Sequence, residues 1–70
     1  MLINYTIETE LETDGRWIAE VIELPGVLAY GETQDQARIK VQALAFRVIA
    51  EQLENGESTP DFVSVCFKAA

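Results

Sequence analysis

The sequence contains no histidine, one cysteine, and only five lysine and arginine residues among 70. Without histidine, the chain has neither an imidazole base nor a histidine ligand for a metal. The single cysteine, Cys66, excludes a disulfide within the chain and is compatible with a reducing compartment. Twelve acidic residues bring the formal net charge to −7. This balance predicts no direct binding to DNA or RNA phosphates and suits a basic partner instead.

The sequence also lacks a long hydrophobic run. No segment reaches the roughly 18 apolar residues of a membrane-spanning helix, and residues 1–5 lack the basic and apolar regions of a signal peptide. We therefore expect a soluble, cytoplasmic protein with no membrane contact. With 49% hydrophobic residues, the chain is predicted to form one domain over residues 1–70. The core of such a short chain is small, so we expect self-association.

Alternation of apolar and polar side chains predicts the strands. Between residues 3 and 11, Ile3, Tyr5 and Ile7 point to one face and charged residues to the other, as in a half-buried strand. Four segments are predicted as strands on this basis: residues 3–11, 16–24, 27–30 and 61–68. Turn signals separate the elements at three places: Asp14-Gly15, Pro25-Gly26 and Asn55-Gly56.

One long helix is predicted over residues 33–54. Thr33 is a favourable N-cap, Gln36 completes a capping box, and Gly56 suits the C-terminal cap. The element order is therefore β-β-β-α-β. It predicts an α+β fold in which an antiparallel three-stranded meander is followed by a helix that packs on one face of the sheet and leads back to a fourth strand.

The helix carries two apolar stripes. One is predicted to cover the sheet and consists of Ala37, Val41, Leu44, Ala45 and Val48. The other lies almost opposite and consists of Ile39, Ala43, Phe46, Ala50 and Leu53. A two-layer domain leaves the second stripe uncovered unless the C-terminal residues fold over it. Because exposed apolar patches usually mark interfaces, we predict that Ile39, Phe46 and Leu53 contact a second copy of the chain or a partner.

The sequence offers little for catalysis. Ser58, Ser64 and Cys66 have no histidine to act as a base, and the glycines are isolated in turns rather than grouped in a phosphate-binding loop. Trp17 is interpreted as a core residue rather than a surface for ligand stacking. We therefore predict a protein that is not an enzyme and that uses no cofactor or metal.

Acidic residues on one strand face are the remaining candidates for function. Glu8, Glu10 and Glu12 share one side of the first strand, and Glu20 can lie opposite them on the second. Three interpretations stay open at this point. The carboxylates form a solvated surface, they attract a basic partner, or they hold a hard cation such as Mg²⁺.

Several motifs together resemble the HicB-like antitoxin family. They are DGRWIAEVIELPG at residues 14–26, YGET at residues 30–33, and Ala37 in the following helix. The resemblance spans about residues 5–57, with Val27 at a position where the family often has cysteine. It implies a partial ribonuclease H-like fold and the antitoxin half of a type II toxin–antitoxin pair. The implied partner is a small, basic HicA-type toxin that cleaves mRNA, and the antitoxin acts by occluding it.

The resemblance also suggests roles for individual residues. Glu8, Glu10, Glu12 and Glu20 are predicted to meet the basic toxin. A structural role is expected for Pro25 and Gly26 in a turn, for Gly31 through its backbone freedom, and for Thr33 as a helix cap. We expect a short form without the C-terminal DNA-binding domain that many members carry. The alternatives are a solitary oligomeric module of this family without a toxin and, more remotely, a metal-dependent nuclease.

Overall fold

A computed structural model describes residues 1–56 and 62–70. Its elements are β1 (Leu2–Leu11), β2 (Trp17–Val21), β3 (Leu28–Gly31), α1 (Gln34–Glu54) and β4 (Ser64–Ala69). The predicted order β-β-β-α-β and the α+β class are confirmed. Asp61, predicted as the start of the last strand, and Ser58 lie outside the described residues. Among the described residues, no helix combines the length and hydrophobicity that crossing a membrane requires.

The four strands form one mixed sheet in the order β3-β2-β1-β4. The first three strands make the predicted antiparallel meander. Strand β4 returns to the far side of β1 and pairs with it in parallel, from Leu2 opposite Ser64 to Ile7 opposite Ala69. Strands β3 and β4 therefore form the two edges of the sheet.

Strand β2 ends three residues earlier than predicted. The N–H of Ile22 still donates to the carbonyl of Thr6 at 3.0 Å, but the chain then turns away. The N–H of Thr6, which a longer β2 would have paired with a backbone carbonyl, donates instead to the carboxylate of Glu23 at 2.8 Å. The prediction of a strand to residue 24 is wrong because this side chain replaces the backbone ladder.

The predicted structural motif lies between β2 and α1. Pro25 and Gly26 form the turn, with Gly26 at φ 85°, a left-handed value that favours glycine. Gly31 has a different role from the one predicted, since its φ is not positive. A Cβ atom on Gly31 would lie 2.5 Å from the backbone nitrogen of Ala37, so the missing side chain lets β3 approach the helix closely.

Thr33 caps the helix as predicted. Its hydroxyl oxygen accepts a hydrogen bond from the N–H of Gln36 at 3.0 Å. The side chain of Gln36 accepts in turn from the N–H of Glu32 at 2.6 Å, one residue before the cap. At the other end, Gly56 lies just beyond the C-cap Asn55 and its N–H donates to the carbonyl of Leu53.

The core lies between the sheet and one face of α1. The buried helix residues are Ala37, Val41, Ala45 and Ile49. Three of them belong to the predicted inner stripe, whereas Ile49 was missed, and the predicted Leu44 and Val48 are only half-buried. Trp17 packs against this core as predicted. The helix lies mainly over β3 and β2, so it covers the β4 side of the sheet less.

Candidate binding surface

Three glutamates meet on the side of the sheet that faces away from α1. Tyr5 and Ile7 are buried toward the helix, so alternation in β1 turns Glu8 and Glu10 to the other side. The register of β1 with β2 then places Glu20 directly opposite Glu8. All three side chains are exposed. We call Glu8, Glu10 and Glu20 the acidic face.

Glu12, the fourth predicted member, is not brought into this arrangement by a strand. It follows Leu11, the last residue of β1, and is half-buried. Its N–H donates to the carbonyl of Arg16 at 2.7 Å and its carbonyl accepts from Gly15 at 3.0 Å. Its backbone therefore closes the β1–β2 hairpin at the end of the sheet, beyond the acidic face.

Within the described residues, Glu8, Glu10 and Glu20 form no salt bridge. The two salt bridges found among the described residues join Arg16 to Asp14 at 2.7 Å and Arg38 to Asp35 at 3.7 Å, and neither includes Glu8, Glu10 or Glu20. Like charges directly opposite each other in a sheet are destabilising. Glu8 and Glu20 therefore form a like-charge pair that only solvent and ions screen.

The same residues give no support to a hard-cation site. Across residues 1–56 and 62–70, no group of three or more Asp, Glu, His or Cys side chains is arranged to hold a metal ion. Glu8 and Glu20 face each other across the strands, but Glu10 is paired with Ile18 rather than with a third carboxylate. The acidic face thus consists of one opposed carboxylate pair, Glu8 and Glu20, with Glu10 beside it.

An aromatic and apolar border adjoins the acidic face, and the sequence interpretation missed it. Tyr30 lies opposite Ile18, and Leu28 lies opposite Glu20. The guanidinium of Arg16 stacks on the ring of Tyr30, 4.4 Å from its centroid. The signal was present, since alternation in β2 and β3 places these side chains on the same side as Glu20. Tyrosine and arginine are enriched at protein–protein interfaces.

The second helix stripe is exposed, as predicted, but it lies on the flank of α1 near β4. Ile39, Phe46 and Leu53 are 67%, 51% and 44% exposed. The ring of Phe46 meets the edge of Phe67 in β4, with centroids 5.3 Å apart and an interplanar angle of 74°. The C-terminal strand therefore covers part of Phe46, and the rest of the stripe stays open.

Glu23 is a further charged residue with a defined role. The backbone N–H of Thr6, followed by its hydroxyl, holds the pKa of Glu23 below its ordinary value, and the charge of Lys68 acts in the same direction. Burial raises the pKa of the neighbouring Tyr5, and the negative charge of Glu23 adds to this increase. These contacts fix the β2–β3 loop against β1, so Glu23 stabilises the sheet that carries the acidic face.

Comparison with protein-family models, with curated proteins and with solved structures finds no match to this chain.

Proposed function

We propose that this chain is a HicB-like antitoxin that binds and occludes a small, basic, mRNA-cleaving toxin of the HicA type. The proposed complex is cytoplasmic, where mRNA is available, and the chain acts without catalysis, cofactor or metal. The observation that carries the proposal is the opposed pair Glu8 and Glu20, joined by Glu10 on an exposed sheet face, where none of the three forms a salt bridge within the described residues.

The opposed carboxylates make a cationic partner favourable. The chain alone bears the repulsion between Glu8 and Glu20 when it folds. A lysine or arginine side chain placed between them by a partner removes this repulsion and adds charge-assisted hydrogen bonds. The net charge of −7 also attracts a basic protein from a distance, which raises the association rate most strongly at low salt.

The aromatic and apolar border beside the acidic face supplies apolar contact area, which charge pairing alone does not. Stable interfaces need a desolvated centre with aromatic or arginine anchors. Tyr30, stacked under Arg16, and the partly exposed Leu28 lie beside the glutamates on the same sheet face. A partner that contacts both parts gains charge pairing and apolar burial in one contact surface.

The sequence resemblance supports the choice of partner. The run Glu23-Leu24-Pro25-Gly26 and the later Tyr30-Gly31-Glu32-Thr33 resemble the HicB-like pattern. Three of these residues have structural roles in the fold. Glu23 accepts a hydrogen bond from Thr6, Gly31 lets α1 approach β3 closely, and Thr33 caps α1. A motif whose residues stabilise the fold in this way is consistent with a family that shares the fold. The usual partner of the HicB-like family is a basic toxin.

Charge reversal tests the proposal. The variant Glu8→Lys/Glu10→Lys should bind a HicA-type toxin more weakly than the wild type, and its affinity should depend less on salt concentration. Titration calorimetry over a range of sodium chloride concentrations measures both effects. Glu51→Lys/Glu54→Lys on α1 is the matched control, because it changes the net charge equally away from the acidic face. Unchanged affinity in the Glu8/Glu10 variant would contradict the proposal.

RNA cleavage provides the functional readout. Wild-type chain at saturating concentration should stop the toxin from cleaving mRNA, and the Glu8→Lys/Glu10→Lys variant should not stop it at the same concentration. The control variant Glu51→Lys/Glu54→Lys should inhibit like the wild type. Continued cleavage in the presence of excess, folded wild-type chain would show that binding does not occlude the toxin.

A solitary oligomeric module is the alternative function, and the exposed stripe of Ile39, Phe46 and Leu53 favours it. Pull-down of the tagged chain from its native host, followed by mass spectrometry, separates the two. Recovery of a small, basic, histidine-containing protein, whose ribonuclease activity the chain then inhibits, supports the antitoxin. Recovery of the chain alone, as an oligomer, supports the solitary module.

A further inference from the structure

Within the described part of the chain, strand β4 has an edge with no strand beside it. The N–H groups of Ser64 and Ala70 donate to Met1 and Ile7, so these alternate residues direct their backbone groups toward β1. The residues between them, among them Val65 and Phe67, must direct their N–H and carbonyl groups to the other side. Such a row of unused donors and acceptors is a template for another strand.

The helix leaves an apolar surface beside this edge. Because α1 lies mainly over β3 and β2, the helix-facing side chains of β4, Val65 and Phe67, are only half-buried. Phe46 contacts Phe67 but remains 51% exposed. Strand β4 therefore combines free backbone groups with apolar side chains that a neighbouring strand could cover. The opposite edge, β3, has only four residues and is held closely against the start of α1 through Gly31.

Charge indicates which occupant fits this edge. The chain has a net charge of −7, so two copies repel each other wherever their glutamates meet. Strand β4 contains no acidic residue, so two β4 strands can meet without opposed carboxylates. A basic partner gains most at the acidic face, whereas a second copy meets least repulsion at β4.

We propose that β4 pairs with β4 of a second copy in antiparallel orientation. A two-fold axis perpendicular to the sheet relates the copies, so both contribute the same strand and the interface closes as a dimer. The result is one continuous eight-stranded sheet with both helices on the same side. The stripe of Ile39, Phe46 and Leu53 then faces its symmetry mate across the axis. The acidic faces lie on the other side of the sheet and stay open to a partner.

Proline substitution tests the pairing without breaking the sheet. Val65→Pro removes an N–H that points to the open edge and leaves the bonds from β4 to β1 in place. We expect the wild-type chain to sediment as a dimer. Val65→Pro should raise the dimer dissociation constant by about tenfold or more, because it removes a hydrogen-bond donor from the middle of the paired edge. Leu28→Pro is the matched control. The carbonyl of Val27 accepts a hydrogen bond from the N–H of Val21, so Val27 directs its backbone groups toward β2. The next residue, Leu28, therefore directs its N–H away from β2, and Leu28→Pro should dimerise like the wild type.

Amide hydrogen exchange identifies the strand directly. The N–H groups of Val65 and Phe67 should exchange slowly at concentrations where the dimer forms and quickly after dilution to the monomer. A monomeric wild type at high concentration, a dimer with unprotected Val65 and Phe67 amides, or equal loss of dimer in both proline variants would each overturn the proposal.

If Val65→Pro does not fold by circular dichroism, charge provides a second variant. Cys66→Glu introduces a carboxylate into the exposed side of β4, where it meets the same carboxylate of the second copy, and should weaken the dimer. Thr13→Glu makes the same charge change in the β1–β2 hairpin and should not. Equal dimerisation of these two variants would contradict the β4 interface. Because a monomeric chain can still inhibit a toxin through its acidic face, failure of this proposal is distinguishable from failure of the proposed function.

Discussion

Both carboxylate oxygens of Glu23 accept hydrogen bonds from Thr6, one from the backbone nitrogen and one from the hydroxyl, each at 2.8 Å. The two residues are separated by 17 positions in the chain. This contact anchors the loop after β2 to β1, at the point where the backbone ladder between the two strands stops. A side chain thus determines where a strand ends.

The Glu23 contact should make stability depend on pH. Its pKa is lowered in the folded chain, so its contribution is fully present above the ordinary pKa of a glutamate. The contribution is lost as the pH falls from there through the folded-state pKa. Urea unfolding at a series of pH values should show wild type more stable than Glu23→Gln near neutrality, with the difference shrinking in acid. Glu54→Gln is the control, and a difference that stays constant throughout the acid range would contradict the assignment.

The opposed pair Glu8 and Glu20 should reduce the stability of the isolated chain. Replacing Glu20 with glutamine removes the repulsion, so we expect the free energy of unfolding to rise by about 0.2–1 kcal/mol. The gain should diminish at high salt. Glu10→Gln is the matched control, because Glu10 lies on the same face opposite Ile18 and should give a smaller gain. Equal effects of both substitutions in thermal unfolding would show that the direct opposition is unimportant.

The same substitution should have the opposite effect on binding. Glu20→Gln removes a carboxylate from the acidic face, so a basic partner should bind this variant more weakly although the free chain is more stable. Unfolding and titration experiments on one preparation measure both quantities. A variant that gains stability and keeps full affinity would place the partner elsewhere.

Gly31 should tolerate no side chain. A Cβ at this position meets the backbone nitrogen of Ala37 at 2.5 Å, so Gly31→Ala should destabilise the chain by about 1–3 kcal/mol. Gly15 provides a contrast, because its φ is 91° and, apart from Gly15 and its two chain neighbours, no atom of the described residues lies within 4 Å of the point that a Cβ would occupy there. Asparagine adopts positive φ more readily than other side chains, so Gly15→Asn should cost backbone strain only and less than Gly31→Asn, which also meets the backbone of Ala37. Similar urea midpoints for the two asparagine variants would refute the steric argument.

Substitutions of Phe46 should show whether the exposed helix stripe takes part in self-association. Phe46→Glu places a charge beside Phe67 and toward a second copy, so we expect it to shift the chain toward monomer in sedimentation velocity experiments. Phe46→Leu keeps an apolar side chain and should preserve the dimer. An unchanged sedimentation coefficient for Phe46→Glu would exclude the stripe from self-association.

Local patterns predicted the elements that are long and have clear end signals. Strand β1 alternates through ten residues, and α1 has a cap at Thr33 and a stop at Gly56, so both were located to within one or two residues. The end of β2 was missed because apolar and charged residues continue past Val21. Only the distant Thr6, through Glu23, shows why the strand stops there.

The arrangement of the acidic face was predicted from the sequence, whereas its exact register and the contact between α1 and β4 were not. Alternation assigned Glu8 and Glu10 to one face and placed Glu20 opposite them, and the register of the hairpin determines that Glu20 pairs with Glu8 rather than with Glu10. The contact between Phe46 and Phe67 depends on β4 returning beside β1 and on the offset of α1 toward β3. The contact between Phe46 and Phe67 is therefore not encoded in any short stretch of sequence.

The parallel pairing of β1 with β4 has a consequence for synthesis of the chain. Strand β1 leaves the ribosome before its second neighbour, β4, because the paired residues Leu2 and Ser64 are 62 positions apart in the chain. The hairpin of β1 and β2 can form early from local contacts, whereas the sheet closes only by a contact of high sequence separation. Until then, the flank of β1 that β4 later occupies stays unpaired, so the sheet is completed only after β1, β2, β3 and α1 have been made.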